Sequence, residues 1–344
     1  MKEVALNVCK NFLLGVWTEA GINDLQFNRI SGGLSNLLYL VSLPEYLHDK
    51  IKDEPKEVLL RLYGEYHPKD DSESLQTESV IFALLGERGI GPKLYGLFPG
   101  GRIEEYIHAK SLKIEDLSDE RILKKIAQKM AFIHSLEFPI EKQPKWVWKT
   151  MERWLEICEK STKTRRFIKS ENINLRVEYK WLREKVEKER IPVVFCHNDI
   201  NEGNILLKSY HKYDPTHPKI SIIDSEYCAY NYRAFEIANF FLEWTYDYTT
   251  KEYPYFTLLD NYPLYEQRFE FVKEYLSHMK THEDPEKLLV EVKLFTLVSH
   301  YFWALWSLAN MMRTDILFGY YDFGVIRTRA YLKKKRQFQN EKAI

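Results

Sequence analysis

His197, Asp199, Asn204 and Asp224 are the residues of this 344-residue chain whose types and spacing could act together chemically. The first three lie in VVFCHNDINEGNILL, residues 193–207, a polar run between two apolar ones. Asp199 and Asn204 are five apart, and Asp224 follows twenty residues later, at the end of the apolar run Ile220 to Ile223. One carboxylate can orient an attacking hydroxyl and accept its proton. A second carboxylate and an amide oxygen can hold magnesium, a hard ion that takes oxygen ligands. These are the groups that phosphoryl transfer needs. An ordinary polar turn would use the same residue types to bond its own backbone. It would not need the later aspartate.

The apolar runs on either side predict two buried strands with the polar loop between them. H-x-D-x-x-x-x-N followed by a strand ending in Asp is the spacing that kinase-like enzymes use. Upstream, FNRISGGLSNLLYLVSL reads as strand, glycine turn, strand, and EVLLRLYG as a further strand. The turn SGGLSN, Ser31 to Asn36 with Gly32, Gly33 and Ser35, could bring backbone amides close to phosphates. It is not a G-x-x-x-x-G-K-[ST] loop, which disfavours a P-loop fold. Arg61 lies in mid-strand, and Glu78 opens the helix in SLQTESVIFALLGERG. A strand cation paired with a helix glutamate is how kinases hold ATP phosphates. Arginine in place of lysine keeps the charge and changes the geometry.

The first hundred residues are mostly strand with one inner helix. After Ile107 the pattern becomes helical, beginning with the amphipathic SDERILKKIAQKMAFIHSL. The chain is expected to be α+β: a small β-rich N-terminal lobe over 1–106 and a larger, mainly α-helical lobe over 107–344. With 45% hydrophobic and 15% aromatic residues it can bury a sizeable core. Fifty basic and 50 acidic residues give zero formal charge, so nucleic acid is not the expected partner. Cys9, Cys158, Cys196 and Cys228 are far apart and read as free thiols of a reducing compartment. The start, MKEVALNVCKNFLLGVW, is interrupted by polar residues and does not read as a signal peptide. Leu294 to Met312 carries no formal charge, but holds two tryptophans in its middle and polar Ser299, His300, Ser307 and Asn310. A buried core helix is the expectation rather than a membrane span. The basic run Lys333 to Arg336 reads as a solvated chain end.

SGGLSNLLY, VLLRLYG, ESVIFALLGERGIGPKLYG, FCHNDINEGNILL, IIDSEYCAYNYRAFEIANFFLEWTYDY and FWALWS together resemble the choline/ethanolamine kinase family, in order from about residue 25 to about 332. The resemblance implies a protein-kinase-like two-lobe fold, ATP with Mg2+, an amino-alcohol substrate and a cytoplasmic setting. It leaves a homodimer open. It makes Asp199 the catalytic base and Asn204 and Asp224 the magnesium ligands. It sets Arg61 and the Ser31–Asn36 loop at the phosphates, and Glu104 to Ile107, with Glu105 and Ile107, beside adenine.

For the alcohol, Trp303 and Trp306 are three apart and share a helix face. Aromatic faces attract a quaternary ammonium by about 0.5 to 2 kcal/mol each. By the resemblance, Trp303, Trp306, Glu243 and Tyr248 align with the family's choline pocket, and Tyr227 is a further candidate. The run Asn201-Glu202-Gly203-Asn204 resembles the choline branch, which usually reads Q-E-G-N. Three positions depart from the family. Asn201 is one methylene shorter than the usual glutamine, Ser225 stands where an aromatic residue is usual, and Phe323 stands where a tyrosine is expected. The expected function is therefore an ATP-dependent choline kinase with some activity on ethanolamine. The alternatives are a kinase preferring ethanolamine or another amino alcohol, an aminoglycoside-type phosphotransferase, and a non-catalytic pseudokinase.

Overall fold

A computed structural model of the chain describes residues 1–30, 36–63, 72–208, 218–312 and 316–341. The expected phosphate-loop residues Ser31, Gly32, Gly33 and Ser35 lie outside the described residues. In chain order the elements begin with α1 (Lys2–Phe12), α2 (Val16–Glu19), β1 (Gln26–Ile30), β2 (Asn36–Ser42), β3 (Glu57–Tyr63), α3 (Ser72–Glu87), β4 (Leu94–Phe98), β5 (Gly101–Glu105) and β6 (Ala109–Ser111). They continue with α4 (Ile114–Leu117), α5 (Glu120–His134), α6 (Lys145–Lys160), α7 (Thr162–Glu171), α8 (Leu175–Glu187), β7 (Val193–Cys196), β8 (Ile205–Lys208), β9 (Ile220–Ile222) and β10 (Ala229–Tyr232). The last are α9 (Arg233–Glu243), β11 (Tyr246–Asp247), β12 (Thr257–Leu258), α10 (Tyr265–His278), α11 (Pro285–Asn310) and α12 (Tyr320–Glu341).

The chain divides into two compact units. The first is Met1–Lys110 with two later segments, Lys208–His211 and Ser221–Glu226, so Asp224 belongs to it. Its centre is a five-stranded antiparallel sheet in the order β1-β2-β3-β5-β4. Side chains alternate between the faces of a strand. Tyr39, Leu60 and Ile103 are therefore in register on one face, buried against Ala5, Cys9 and Trp17 of α1 and α2. Leu38, Arg61 and Arg102 stand in register on the other face. The hydrophobic side of the sheet is covered by the N-terminal helices, and the opposite side carries the charges.

The second unit is Ser111–Leu207, Lys212–Ile220 and Tyr227–Ile344. Helix α11 is its core. Its N-terminus is capped by Asp284, whose Oδ1 accepts from the Glu286 N–H at 3.0 Å, with Pro285 at the first helical position. It is long and apolar enough to cross a membrane by composition alone, yet 83% of its most apolar 18 residues are buried in protein. Helices α6, α9 and α12 pack against it. The whole of α9 is buried, including the charged residues Arg233, Glu236 and Glu243. A buried charge must find a partner or it destabilises the fold. Arg233 bonds Glu283 at 2.7 Å and Glu291 at 3.1 Å. The other two lead into the site.

Candidate active site

The polar loop of the second unit is held before it is used. Strand β7 pairs antiparallel with β10, Cys196 opposite Ala229. After β7 the chain turns at Asn198, which is fully buried and has φ of 69°. That left-handed conformation is uncommon for residues other than glycine, and asparagine is among those that tolerate it. Three side chains or carbonyls fix it. The Asn198 N–H donates to Glu236, its Nδ2 donates to the Tyr227 carbonyl at 2.9 Å, and its Oδ1 accepts from Asn231 Nδ2 at 2.7 Å. Glu236 is bonded in turn to His134 Nε2 at 2.5 Å, and His134 Nδ1 to the Tyr275 hydroxyl at 2.8 Å. A tautomer with its hydrogen on Nε2 satisfies both. His134, Cys196 and Glu236 also form a cluster of metal-ligating types. The oxygens of Glu236 and the nitrogens of His134 are already used in bracing the loop.

Asp199 follows, and its backbone and carboxylate are both engaged. Asn204 Nδ2 donates to the Asp199 carboxylate at 3.1 Å and to its carbonyl at 2.9 Å. Asn201 Nδ2 reaches the other carboxylate oxygen at 3.3 Å. Asn201 also caps the 3₁₀ turn Glu202–Asn204, its Oδ1 accepting from the Asn204 N–H at 3.2 Å. The shorter side chain at 201 thus serves both to cap the turn and to orient Asp199. With the Asn204 amide nitrogen committed to Asp199, its Oδ1 is the group left with metal-ligating chemistry.

In the first unit the charges form a chain. Arg61 Nε donates to Glu104 Oε1 at 2.5 Å, and Arg102 Nε donates to the same oxygen at 2.8 Å. Arg102 Nη1 meets Glu78 at 2.7 Å, and Arg61 Nη1 meets Asp224 at 3.3 Å. This corrects the sequence expectation: Glu78 pairs with Arg102, not Arg61. The register explains why. Arg61 and Arg102 are opposite each other on β3 and β5, and Glu104 lies two residues along on the same face. Burial opposes the ionisation of Glu104, but the two arginines outweigh it and hold its carboxyl below the ordinary value. Glu104 is accordingly a buried strand residue, while Glu105 ends β5 and accepts from the Lys93 N–H at 3.1 Å. Ile107 is half-buried between β5 and β6. Asp224 has φ of 68° and a partly exposed carboxylate, engaged by Arg61 through Oδ1. Asn36 is buried, its Nδ2 donating to Glu226 at 3.2 Å. Ser225 between them is buried with a small side chain.

Back in the second unit, the pocket candidates gather around Glu243 at the end of α9. Its Oε2 accepts from the Tyr248 hydroxyl at 2.8 Å, and its Oε1 pairs with Arg327 of α12. The Arg327 guanidinium lies 3.9 Å from the Tyr246 ring centroid and 4.9 Å from that of Phe323. Trp303 and Trp306 meet edge to face, 5.5 Å apart at 79°, rather than stacked. Trp303 is buried, donates its indole N–H to Asn239 at 2.6 Å and lies 5.9 Å from Tyr227. Trp306 is only half-buried and faces a second set of rings: Tyr320 at 5.5 Å, Phe318 at 6.0 Å and Phe323 at 6.2 Å. Tyr248 closes this set, 6.3 Å from Phe323. Phe323 keeps the ring expected there without a hydroxyl. Glu202, on the Asp199 loop, is buried, and burial with Glu243 and Asp247 nearby pushes its carboxyl up to about 8.

The family model for choline/ethanolamine kinase matches residues 27–332. A human choline/ethanolamine kinase is 42% identical over 342 residues, covering 96% of this chain and 85% of its own. Mouse choline kinase alpha is 38% identical, covering 96% and 80%. The chain belongs to the choline/ethanolamine kinase family. The crystal structure of a choline kinase from Cryptosporidium parvum superposes with a TM-score of 0.76 at 26% identity, covering 99% of this chain and 97% of that one.

Membership makes the chain a phosphotransferase of protein-kinase-like fold, with ATP as its donor. The loop, the metal-type ligands and the two tryptophans are legible in the sequence. Arg102, Glu104 as an ion-pair hub, Glu236, His134, Phe318, Tyr320 and Arg327 carry no such signal, and Glu202 shows only as part of the Asn201–Asn204 motif. A buried arginine such as Arg327, in a helix otherwise rich in exposed cations, gives no signal until its partner is known.

Proposed function

We propose that this member of the family is an ATP-dependent choline kinase that phosphorylates the choline hydroxyl to give phosphocholine for phosphatidylcholine synthesis. The observation that carries the reading is the ring set of Trp306, Phe318, Tyr320, Phe323 and Tyr248 beside the carboxylates Glu243 and Glu202. Aromatic faces and buried carboxylates suit a methylated ammonium, which needs attraction but offers no N–H to satisfy. Ethanolamine, named with choline in the human relative, is the second substrate. Its N–H groups can use the carboxylates.

Asp199 accepts the proton of the hydroxyl as the oxygen attacks the γ-phosphorus, and the bond to ADP breaks. Asn201 and Asn204 hold the carboxylate in one orientation for that role. The Asn204 oxygen and the Asp224 carboxylate are hard donors of the type that fits Mg2+, which when bound offsets negative charge on the phosphates. Arg61 serves the phosphates with the Ser31–Asn36 loop, and Glu105 and Ile107 serve adenine. Residues 1–106 act as the ATP-binding lobe and 107–344 as the catalytic and substrate-binding lobe, in the cytoplasm. A substrate panel tests the reading: choline, its mono- and dimethyl analogues and ethanolamine with ATP. Turnover should rise with methylation. Equal or better kcat/KM for ethanolamine would move the assignment to an ethanolamine kinase.

A further inference from the structure

Three acids come together in the second unit: Glu202 of the 3₁₀ turn feels the charges of Glu243 of α9 and Asp247 of β11. Two are already used. Glu243 is bonded to Arg327 through one oxygen and to Tyr248 through the other. Asp247 accepts from the Thr249 N–H at 2.8 Å and its hydroxyl at 2.7 Å. Glu202 differs. It is 6% exposed, and its Oε2 is fully buried with no hydrogen-bond partner among the described residues. A buried carboxylate oxygen without a donor is costly to keep, and such groups call for an explanation. Packing alone does not supply one, because glutamine or leucine would fill the space without a carboxyl.

The place of Glu202 supplies the explanation. It is three residues from Asp199, inside the turn whose two ends, Asn201 and Asn204, both bond Asp199. An amino alcohol carries its cation two carbons from its hydroxyl. A hydroxyl delivered to Asp199 therefore sets the cation close to the same loop. Glu243 cannot be the main source of uncompensated charge there, since Arg327 lies against it.

Resting on the choline kinase reading, we propose that Glu202 selects the charged substrate: its carboxyl takes the ammonium group, while Glu243 and Arg327 fix the aromatic wall. Nothing in the phosphoryl-transfer roles assigned above requires this residue, and its role is in recognition of the alcohol alone.

The test compares choline with 3,3-dimethylbutan-1-ol, the neutral isostere in which carbon replaces nitrogen. In Glu202→Gln, KM for choline should rise by about tenfold or more, as expected for a lost interaction with a charged group. KM for the isostere should change less than twofold, and KM for ATP should hold. Equal changes for both alcohols, or none, would overturn the proposal. Glu202→Asp keeps the carboxyl and provides a second arm if the glutamine variant does not fold. It should retain most of the preference for choline over the isostere. A Glu202→Asp protein with no preference left for choline over the isostere would also overturn the proposal. Failure of the underlying reading looks different: the wild-type protein would then turn over neither choline nor ethanolamine.

Discussion

Asn204 grips Asp199 at two points, donating its side-chain amide to the carboxylate at 3.1 Å and to the carbonyl at 2.9 Å. The residue proposed for the metal is thus also the residue that aims the proposed base. Removing the base should be costly and local. Asp199→Ala is expected to lower kcat by roughly 10²- to 10⁴-fold, the usual contribution of a positioned general base. Nucleotide affinity, followed by equilibrium titration, should change little. A folded variant with wild-type turnover would remove Asp199 from the mechanism.

Arg327 should matter more for the fold than its distance in sequence from the loop implies. It is fully buried against Glu243 and lies over Tyr246. Arg327→Met keeps length and apolar volume but leaves the Glu243 carboxylate buried without its cation. Breaking a buried pair from one side costs about 3–5 kcal/mol. Chemical denaturation should show a loss of that size. The double substitution Arg327→Met with Glu243→Gln should recover part of it, because no charge is then stranded.

The two tryptophans should separate. Trp306 is half-buried among Phe318, Tyr320 and Phe323, so Trp306→Leu should act mainly on choline, weakening its apparent affinity by about 1 kcal/mol, or several-fold. Trp303 is buried and bonded to Asn239, so Trp303→Leu should lower the melting temperature as well. Choline affinity that is untouched by Trp306→Leu would make that ring packing only.

His300 gives the protein a dependence on acid that can be read separately from activity. Both ring nitrogens are buried without a partner among the described residues. Burial, with the charges of Arg327 and Lys334 adding, holds its pKa well below the ordinary 6.5. As pH falls through 6.5 the unfolded chain takes up the proton first. The stability contributed by neutral His300 is therefore complete above that pH and is lost below it. His300→Leu should flatten the fall in unfolding free energy between pH 7 and 5, by up to about 1.4 kcal/mol per pH unit. Parallel curves for the two proteins would mean that His300 does not titrate on unfolding.

What could be read from the sequence was what lies close together along the chain. Asp199 and Asn204 are five apart on one turn, and Trp303 and Trp306 are one helical step apart, so spacing alone placed each pair. The apolar runs beside the loop became β7 and β8 for the same reason. What escaped depends on register or on distant partners. Arg61 and Arg102 share Glu104 only because β3 and β5 pair in one particular register. A shift of one residue would turn them to opposite faces. That is why the sequence alone pairs Glu78 with the wrong arginine. Glu243 and Arg327 are 84 positions apart, and the link from Asn198 through Glu236 to His134 crosses three elements. Neither leaves a local pattern. Glu202 was visible only as part of a family motif, and its unsatisfied oxygen is a property of the fold.

The proposed reaction transfers the γ-phosphate of ATP to the choline hydroxyl with Asp199 as base, and ³¹P NMR of the purified protein with ATP, Mg2+ and choline measures it directly. Phosphocholine and ADP should appear together in equal amounts with the wild-type chain. Both should be nearly absent with Asp199→Ala over the same period. ADP formed with inorganic phosphate instead of phosphocholine would rule out choline as the acceptor, and phosphocholine formed as fast by the alanine variant would rule out Asp199 as the base.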